Sequence, residues 1–188
     1  MMTQDVIAKN AVASGSGQAS YETERFVLRP LRKSDAGLIS MYTSDARVAK
    51  FTTSIPHPLP PGTTEAFISR VTAPDSDETV WALDGTVSGL GELLGLISLR
   101  PMDRNQSEVG YWVGPAFWGT GLASEALRLL VDANPNGDTT MFATVFQENT
   151  ASARVVTNNG FEYLGDAEVY SVAREAKVPT WTYLRKLR

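Results

Sequence analysis

One stretch constrains this chain more than any other. Glu108-Val109-Gly110-Tyr111-Trp112-Val113 is a run of strand formers, Gly114-Pro115 breaks it, and Leu122, Ala123, Ala126, Leu127 and Leu130 then recur at helical spacing. Between strand and helix stand Gly119 and Gly121. Glycines there let the backbone approach a ligand with no side chain in the way. The first-turn N–H groups of a helix have no intrahelical acceptor, and they carry the positive end of its dipole. Together these features point to a phosphate or pyrophosphate at the turn, to which Ser124 can add a hydroxyl donor.

Glycines before a helix occur in several settings. A Walker loop needs Gly-Lys-Ser or Gly-Lys-Thr, and Thr120 and Leu122 stand where that lysine would be sought. A dinucleotide fingerprint can be written as Gly119-x-Gly121-x-x-Ser124, with Asp138 spaced for a ribose contact. Its third glycine is missing, and such a fingerprint normally follows the first strand of a βαβαβ unit. Here the glycines follow what read as several antiparallel strands. The remaining alternative is an ordinary strand–helix turn with packing glycines.

Composition narrows the classes further. The chain has 188 residues, enough for one domain with a substantial core. A net charge of -4 argues against a nucleic-acid surface. With no cysteine there is no disulfide, thiolate nucleophile or cysteine metal site. The single histidine, His57, excludes a multi-histidine metal centre, so no metal is expected. No apolar run approaches the ~20 residues of a membrane span, and the start lacks a basic segment followed by an apolar core. A cytoplasmic enzyme without membrane or nucleic-acid partners is the expectation, as a monomer or a homodimer.

Residues 1–20 read as a flexible tail, because 13–20 are small, polar and glycine-rich. The domain is expected over 21–188. Arg25–Leu31 reads as the first strand. Ser34-Asp35 then caps a helix whose buried side is Leu38, Ile39, Met41 and Tyr42. A loop, Thr52–Gly62, holds four prolines and His57. Thr63–Val71 is a second helix with Ala66, Phe67 and Val71 inward. Strands follow at Thr79–Leu83 and Leu93–Arg100, then the strand at Glu108 and a third helix over Gly121–Ala133. Thr139–Phe146 is apolar on both sides, as a central strand would be. A short helix spans Thr150–Asn158, and two strands, Phe161–Ser171 and Pro179–Leu187, close the chain. The order predicts an α/β domain with a mixed, mostly antiparallel sheet flanked by helices.

Glu-Val-Gly-Tyr-Trp-Val-Gly-Pro followed by Phe-Trp-Gly-Thr-Gly-Leu-Ala-Ser-Glu-Ala resembles the acetyl-CoA-binding segment of the GCN5-related N-acetyltransferase (GNAT) superfamily, closest to its ribosomal-protein N-acetyltransferase branch. Asn149-Thr150-Ala151-Ser152-Ala153-Arg154-Val155-Val156, with Asn159-Gly160-Phe161, resembles that branch's second signature. Glu24–Leu31 resembles its first strand. The likeness runs from about Thr23 to Leu187. Many members carry Gln or Arg three residues before the first glycine of the turn. Ala116 stands there in this chain, and the branch it resembles often lacks the Gln or Arg too, which removes one cationic contact to phosphate.

The resemblance implies transfer of an acetyl group from acetyl-CoA to a primary amine, on a protein N-terminus or a small molecule. Such a reaction needs a base for the amine, a donor for the oxyanion and stabilisation of the thiolate. Without cysteine, direct attack in a ternary complex is the simpler route. Glu108, at the head of the strand, is the candidate base, directly or through water, and lines the acceptor site. Ser152 is the candidate donor to sulfur, a role that a tyrosine often fills in the superfamily. The short helix Thr150–Asn158 has no tyrosine. Asn149 both caps that helix and can reach the pantetheine arm. Backbone groups of Tyr111 and Val113 would pair with pantetheine amides as a strand would, and the N–H of Tyr111 or Trp112 would meet the oxyanion. Trp118, Gly119, Thr120, Gly121, Leu122, Ala123 and Ser124 form the expected pyrophosphate turn. Phe117 and Trp118 suit either core or cofactor stacking. Glu125 suits the first helical turn or solvent. His57, held stiff between prolines, is either a surface residue or a wall of the acceptor pocket. A non-catalytic acyl-CoA-binding module of the same fold would keep the glycine turn, and so is the second reading.

Overall fold

Strand formers, turn glycines and helical spacing divide the chain nearly as its sequence suggests, with additions near the start. The computed structural model describes residues 12–13 and 17–188. Its strands are β1 (Val12–Ala13), β2 (Ala19–Glu22), β3 (Val27–Pro30), β4 (Thr79–Asp84), β5 (Gly95–Met102), β6 (Gln106–Val113), β7 (Thr140–Phe146), β8 (Glu162–Ser171) and β9 (Ala176–Lys186). Its α-helices are α1 (Ala36–Thr43), α2 (Ala46–Ala49), α3 (Thr63–Val71), α4 (Leu122–Ala133) and α5 (Thr150–Asn158). Among the described residues no helix is long and apolar enough to cross a membrane.

The strands form one sheet in the order β1-β2-β3-β4-β5-β6-β7-β9-β8. Neighbours are antiparallel except β6 and β7, which run parallel. A parallel pair needs a crossover, and α4 supplies it. Successive residues of a strand face opposite sides of the sheet, so β4 feeds two cores at once. Trp81 and Leu83 join α4 and α5 through Leu122, Leu127, Leu130 and Val156. Val80 and Ala82 join α1 and α3 through Ile39, Ile68 and Val71. The result is an α/β domain with helices on both faces of a mixed sheet.

Several expectations change in detail. The sheet reaches back to β2 at Ala19 and to β1 at Val12–Ala13, ahead of the expected start at residue 21. Ser20 is buried, and the Trp81 indole N–H donates to the Ala19 carbonyl at 2.8 Å. The rest of the expected tail, 1–11 and 14–16, lies outside the described residues. In α1, Ile39 and Thr43 face inward and Met41 is 56% exposed. Met41 follows Ile39 by two residues, about 200° round the helix. In α3, Thr64, Ile68 and Val71 form the buried stripe, and Ala66 lies outside it for the same reason. Asp35 does not cap α1 with its side chain. Its carboxylate accepts from the Arg32 N–H at 2.7 Å and holds the Arg29 guanidinium at 2.9 Å, with Asp84 on the other side at 2.7 Å. A buried arginine is thus answered by two carboxylates and ties β3 to β4 and α1.

The feature that makes the site is where β6 and β7 part. Their parallel ladder runs from Gln106↔Thr140 to Val109↔Ala143 and stops. Beyond it, Gly110–Val113 pair only with β5, and Thr144–Phe146 only with β9.

Candidate active site

A cavity of about 900 Å³ occupies this parting and runs on to the glycine turn. Its walls include Tyr111 and Val113 of β6, Thr144 and Val145 of β7, Ser152 of α5, and Ser124 of α4. The backbone of β6 is oriented by its ladder with β5. The Gly114 N–H donates to the Leu94 carbonyl, and a Cβ on Gly95 would collide with the Trp112 carbonyl oxygen. Alternation along an antiparallel ladder then turns the N–H and C=O of Gly110 and Trp112 toward β5, and those of Tyr111 and Val113 toward the gap. The Trp118 indole N–H donates to the Val113 carbonyl at 2.7 Å. Of the two donors that the sequence leaves open, the Tyr111 N–H faces the gap and the Trp112 N–H does not.

Side chains of β6 alternate as well. Trp112 packs toward α1, with its ring 6.0 Å from that of Tyr42. Glu108 shares that face, directly opposite Arg100 of β5. Burial pushes the Glu108 carboxyl above its ordinary range, and the Arg100 charge pulls it part of the way back. Glu78, nearly buried, meets Arg70 at 3.1 Å on the same side of the cavity. Val109, Tyr111 and Val113 face α4 and α5. The Tyr111 phenol oxygen lies 2.9 Å from Ser152 Oγ. The candidate base and the candidate donor to sulfur therefore stand on opposite faces of one strand.

The turn is built for close approach. Gly119 and Gly121 adopt φ of 73° and 81°, a left-handed conformation that side chains resist. A Cβ on Gly119 would meet nothing within 4 Å, and one on Gly121 only Arg25 Nη2 at 3.6 Å. Glu125 is the first α4 residue whose N–H returns to a carbonyl, that of Gly121. The N–H groups of Leu122, Ala123 and Ser124 have no acceptor within the helix. Ser124 Oγ accepts from the Asn159 amide at 2.9 Å, which leaves its own proton free to donate. Open space beside two glycines, unanswered N–H groups and a free hydroxyl fit a pyrophosphate.

Other expected residues fall as follows. Asn149 lines the cavity, and its side chain accepts from the Ser152 N–H at 3.2 Å as the cap of α5. Asn149→Ala should cost about 1 kcal/mol of stability and also weaken CoA binding. Urea unfolding with CoA titration checks this, and two unchanged values would refute the dual role. Trp118 is 47% exposed at the cavity edge, with the Arg47 guanidinium 5.5 Å over its ring, so it is not core. Thr120 does not line the cavity; its hydroxyl donates to the Phe117 carbonyl and braces the turn. His57 is exposed and off the wall, to which its loop contributes Ile55, Pro56 and Leu59 instead. Arg25, read only as strand, donates to Glu125 at 2.7 Å and to the Thr120 carbonyl at 2.8 Å. It locks the turn to β3 across the fold. Glu125 is thereby a partner of Arg25 rather than a solvated carboxylate.

This chain is similar to known proteins in sequence and in fold. A family model described as "Acetyltransferase (GNAT) domain" matches residues 25–162. The "Uncharacterized N-acetyltransferase p20" of Bacillus licheniformis is 27% identical over 177 residues, 86% of this chain and 92% of that protein. Among solved structures, the microcin C7 self-immunity acetyltransferase MccE, in complex with acetyl-CoA and AMP, superposes with a TM-score of 0.76 at 13% identity, covering 88% of this chain and 94% of that one. The ribosomal-protein-S5-alanine acetyltransferase of Vibrio fischeri gives 0.73 at 20% identity, covering 90% and 97%.

Proposed function

The chain belongs to the GNAT acetyltransferase family, and from that premise we propose that it transfers the acetyl group of acetyl-CoA to a primary amine by direct attack in a ternary complex. The acceptor is a protein N-terminus or a small-molecule amine. The observation that carries this reading is the parting of β6 from β7 beside the glycine turn, with Glu108 and Ser152 on opposite faces of β6.

Acetyl-CoA supplies a thioester whose carbonyl the amine attacks. The diphosphate fits the N–H groups at Leu122–Ser124, and the pantetheine amides fit the gap-facing backbone of Tyr111 and Val113. The amine enters from the Glu108 face. Glu108 takes its proton, directly or through one water, as the N–C bond forms. Charge on the carbonyl oxygen meets the Tyr111 N–H. As the C–S bond breaks, charge gathers on sulfur and the Ser152 hydroxyl hydrogen-bonds to it. A carboxylate base on one face and a hydroxyl donor on the other keep proton removal and thiolate stabilisation apart.

Thermal shift with acetyl-CoA, CoA and NAD tests the ligand, and thiol release with an amine panel tests the reaction. Stabilisation by both CoA forms, with amine-dependent thiol release, is the expected result. Stabilisation by acetyl-CoA without release for any amine would favour the acyl-CoA-binding module. Stabilisation by NAD alone would overturn the site.

A further inference from the structure

The mechanism uses the backbone of Tyr111 and leaves its side chain without a task. That side chain is on the cavity wall, and its oxygen lies 2.9 Å from Ser152 Oγ. The direction of this bond follows from the two groups. A phenol is a stronger acid and a weaker base than an alkyl hydroxyl, so the phenol donates and the serine accepts. Burial pushes the Tyr111 phenol to about 12, so it stays protonated through the working pH range.

A helical hydroxyl has a competing choice, which is to donate back to a carbonyl of the preceding turn. This chain uses it repeatedly: Thr43 to Ile39, Ser44 to Ser40, Thr72 to Ile68 and Thr157 to Ala153. Ser152 does not make that bond among the described residues. It lies in the first turn of α5, where four residues back is Glu148, ahead of the helix. With the tyrosine proton on one lone pair, the serine keeps its own proton free beside the cavity.

We propose that Tyr111 is a positioning residue whose phenol O–H holds the Ser152 hydroxyl so that the serine proton is presented to the departing sulfur. The inference rests on the acetyl-transfer reading above. No bond to Tyr111 is made or broken. A donated hydrogen bond polarises the serine O–H and strengthens the next bond in the chain. The strengthening matters only while sulfur carries charge, so it acts on turnover rather than on ground-state binding.

The test is a double-mutant cycle of Tyr111→Phe and Ser152→Ala, read as single-turnover rates at saturating acetyl-CoA. CoA affinity is measured by calorimetry and folding by thermal unfolding. Phenylalanine keeps the ring and its packing. Ser152→Ala alone should slow the chemical step roughly 10–100-fold, as loss of a hydrogen bond to a charged group does. Tyr111→Phe alone should slow it roughly 3–10-fold, with CoA affinity unchanged. In the Ser152→Ala background Tyr111→Phe should have no further effect, because the two act as a unit. A wild-type rate in Tyr111→Phe, or a loss of equal size in both backgrounds, would overturn the inference while leaving acetyl transfer standing. A wild-type enzyme that acetylates no amine would overturn both together.

Discussion

Glu108→Gln is expected to lower kcat by roughly 10²–10⁴-fold, the usual contribution of a positioned base, and to leave acetyl-CoA affinity nearly unchanged. Glutamine keeps the shape and removes only the ability to take a proton. Glu108 shares its face of β6 with Trp112 and stands opposite Arg100. The pH profile carries a second consequence. Burial raises the Glu108 carboxyl above its ordinary range, while Arg100 opposes that rise. A base works in its deprotonated form, so the rate falls as pH drops through its pKa. The acid limb of kcat against pH should therefore lie above the range of an exposed carboxylate. Arg100→Ala removes the cation that favours the charged form, and should move the limb to higher pH. In Glu108→Gln the rate should recover as pH rises, because a deprotonated amine needs less help. A Glu108→Gln enzyme that keeps most of its kcat at neutral pH would show that Glu108 is not the base.

Gly121→Val is expected to weaken CoA binding at least ~100-fold. At φ of 81° a β-branched residue is strained, by about 1–3 kcal/mol. The protein leaves room for a Cβ, whose nearest neighbour would be Arg25 Nη2 at 3.6 Å. The cost therefore falls on the backbone and on whatever approaches it. A turn that leaves the left-handed region loses the aim of the N–H groups at Leu122–Ser124. Each charge-assisted bond lost costs about 1.5–3 kcal/mol, and two of them exceed 100-fold in affinity. Calorimetry with CoA, alongside circular dichroism to show an intact fold, measures this. Unchanged affinity in a folded variant would remove the pyrophosphate from this turn.

What could be read in the sequence was local. The helices Thr63–Val71 and Thr150–Asn158 have the bounds that their spacing and caps suggest. The glycine turn and β6 are legible because strand formers, a break and a helix start lie side by side. Strand β2 was not, since Ala19-Ser20 has the composition of a linker. Its backbone pairs with β3 through Tyr21↔Leu28 and Glu22↔Val27, and contacts distant in sequence hold its start: Gln18 donates to the Val80 carbonyl, and Trp81 to that of Ala19. The same holds within the site. Tyr111 alternates with Val109 and Val113, which assigns its face, yet nothing local names Ser152 as its partner. The Arg25–Glu125 pair spans 100 positions of sequence and has no local signal. His57 shows the reverse relation. It is the single histidine of the sequence, yet the apolar neighbours Ile55 and Leu59 line the cavity.

In the proposed mechanism the amine attacks the thioester directly, with base and sulfur-side donor provided from the two faces of β6. Initial rates of thiol release with acetyl-CoA and amine both varied test it most directly. Intersecting double-reciprocal lines are predicted, with no thiol released and no mass gained by the enzyme when acetyl-CoA is given alone. Parallel lines, with stoichiometric thiol release and an acetylated enzyme in the absence of amine, would contradict the account.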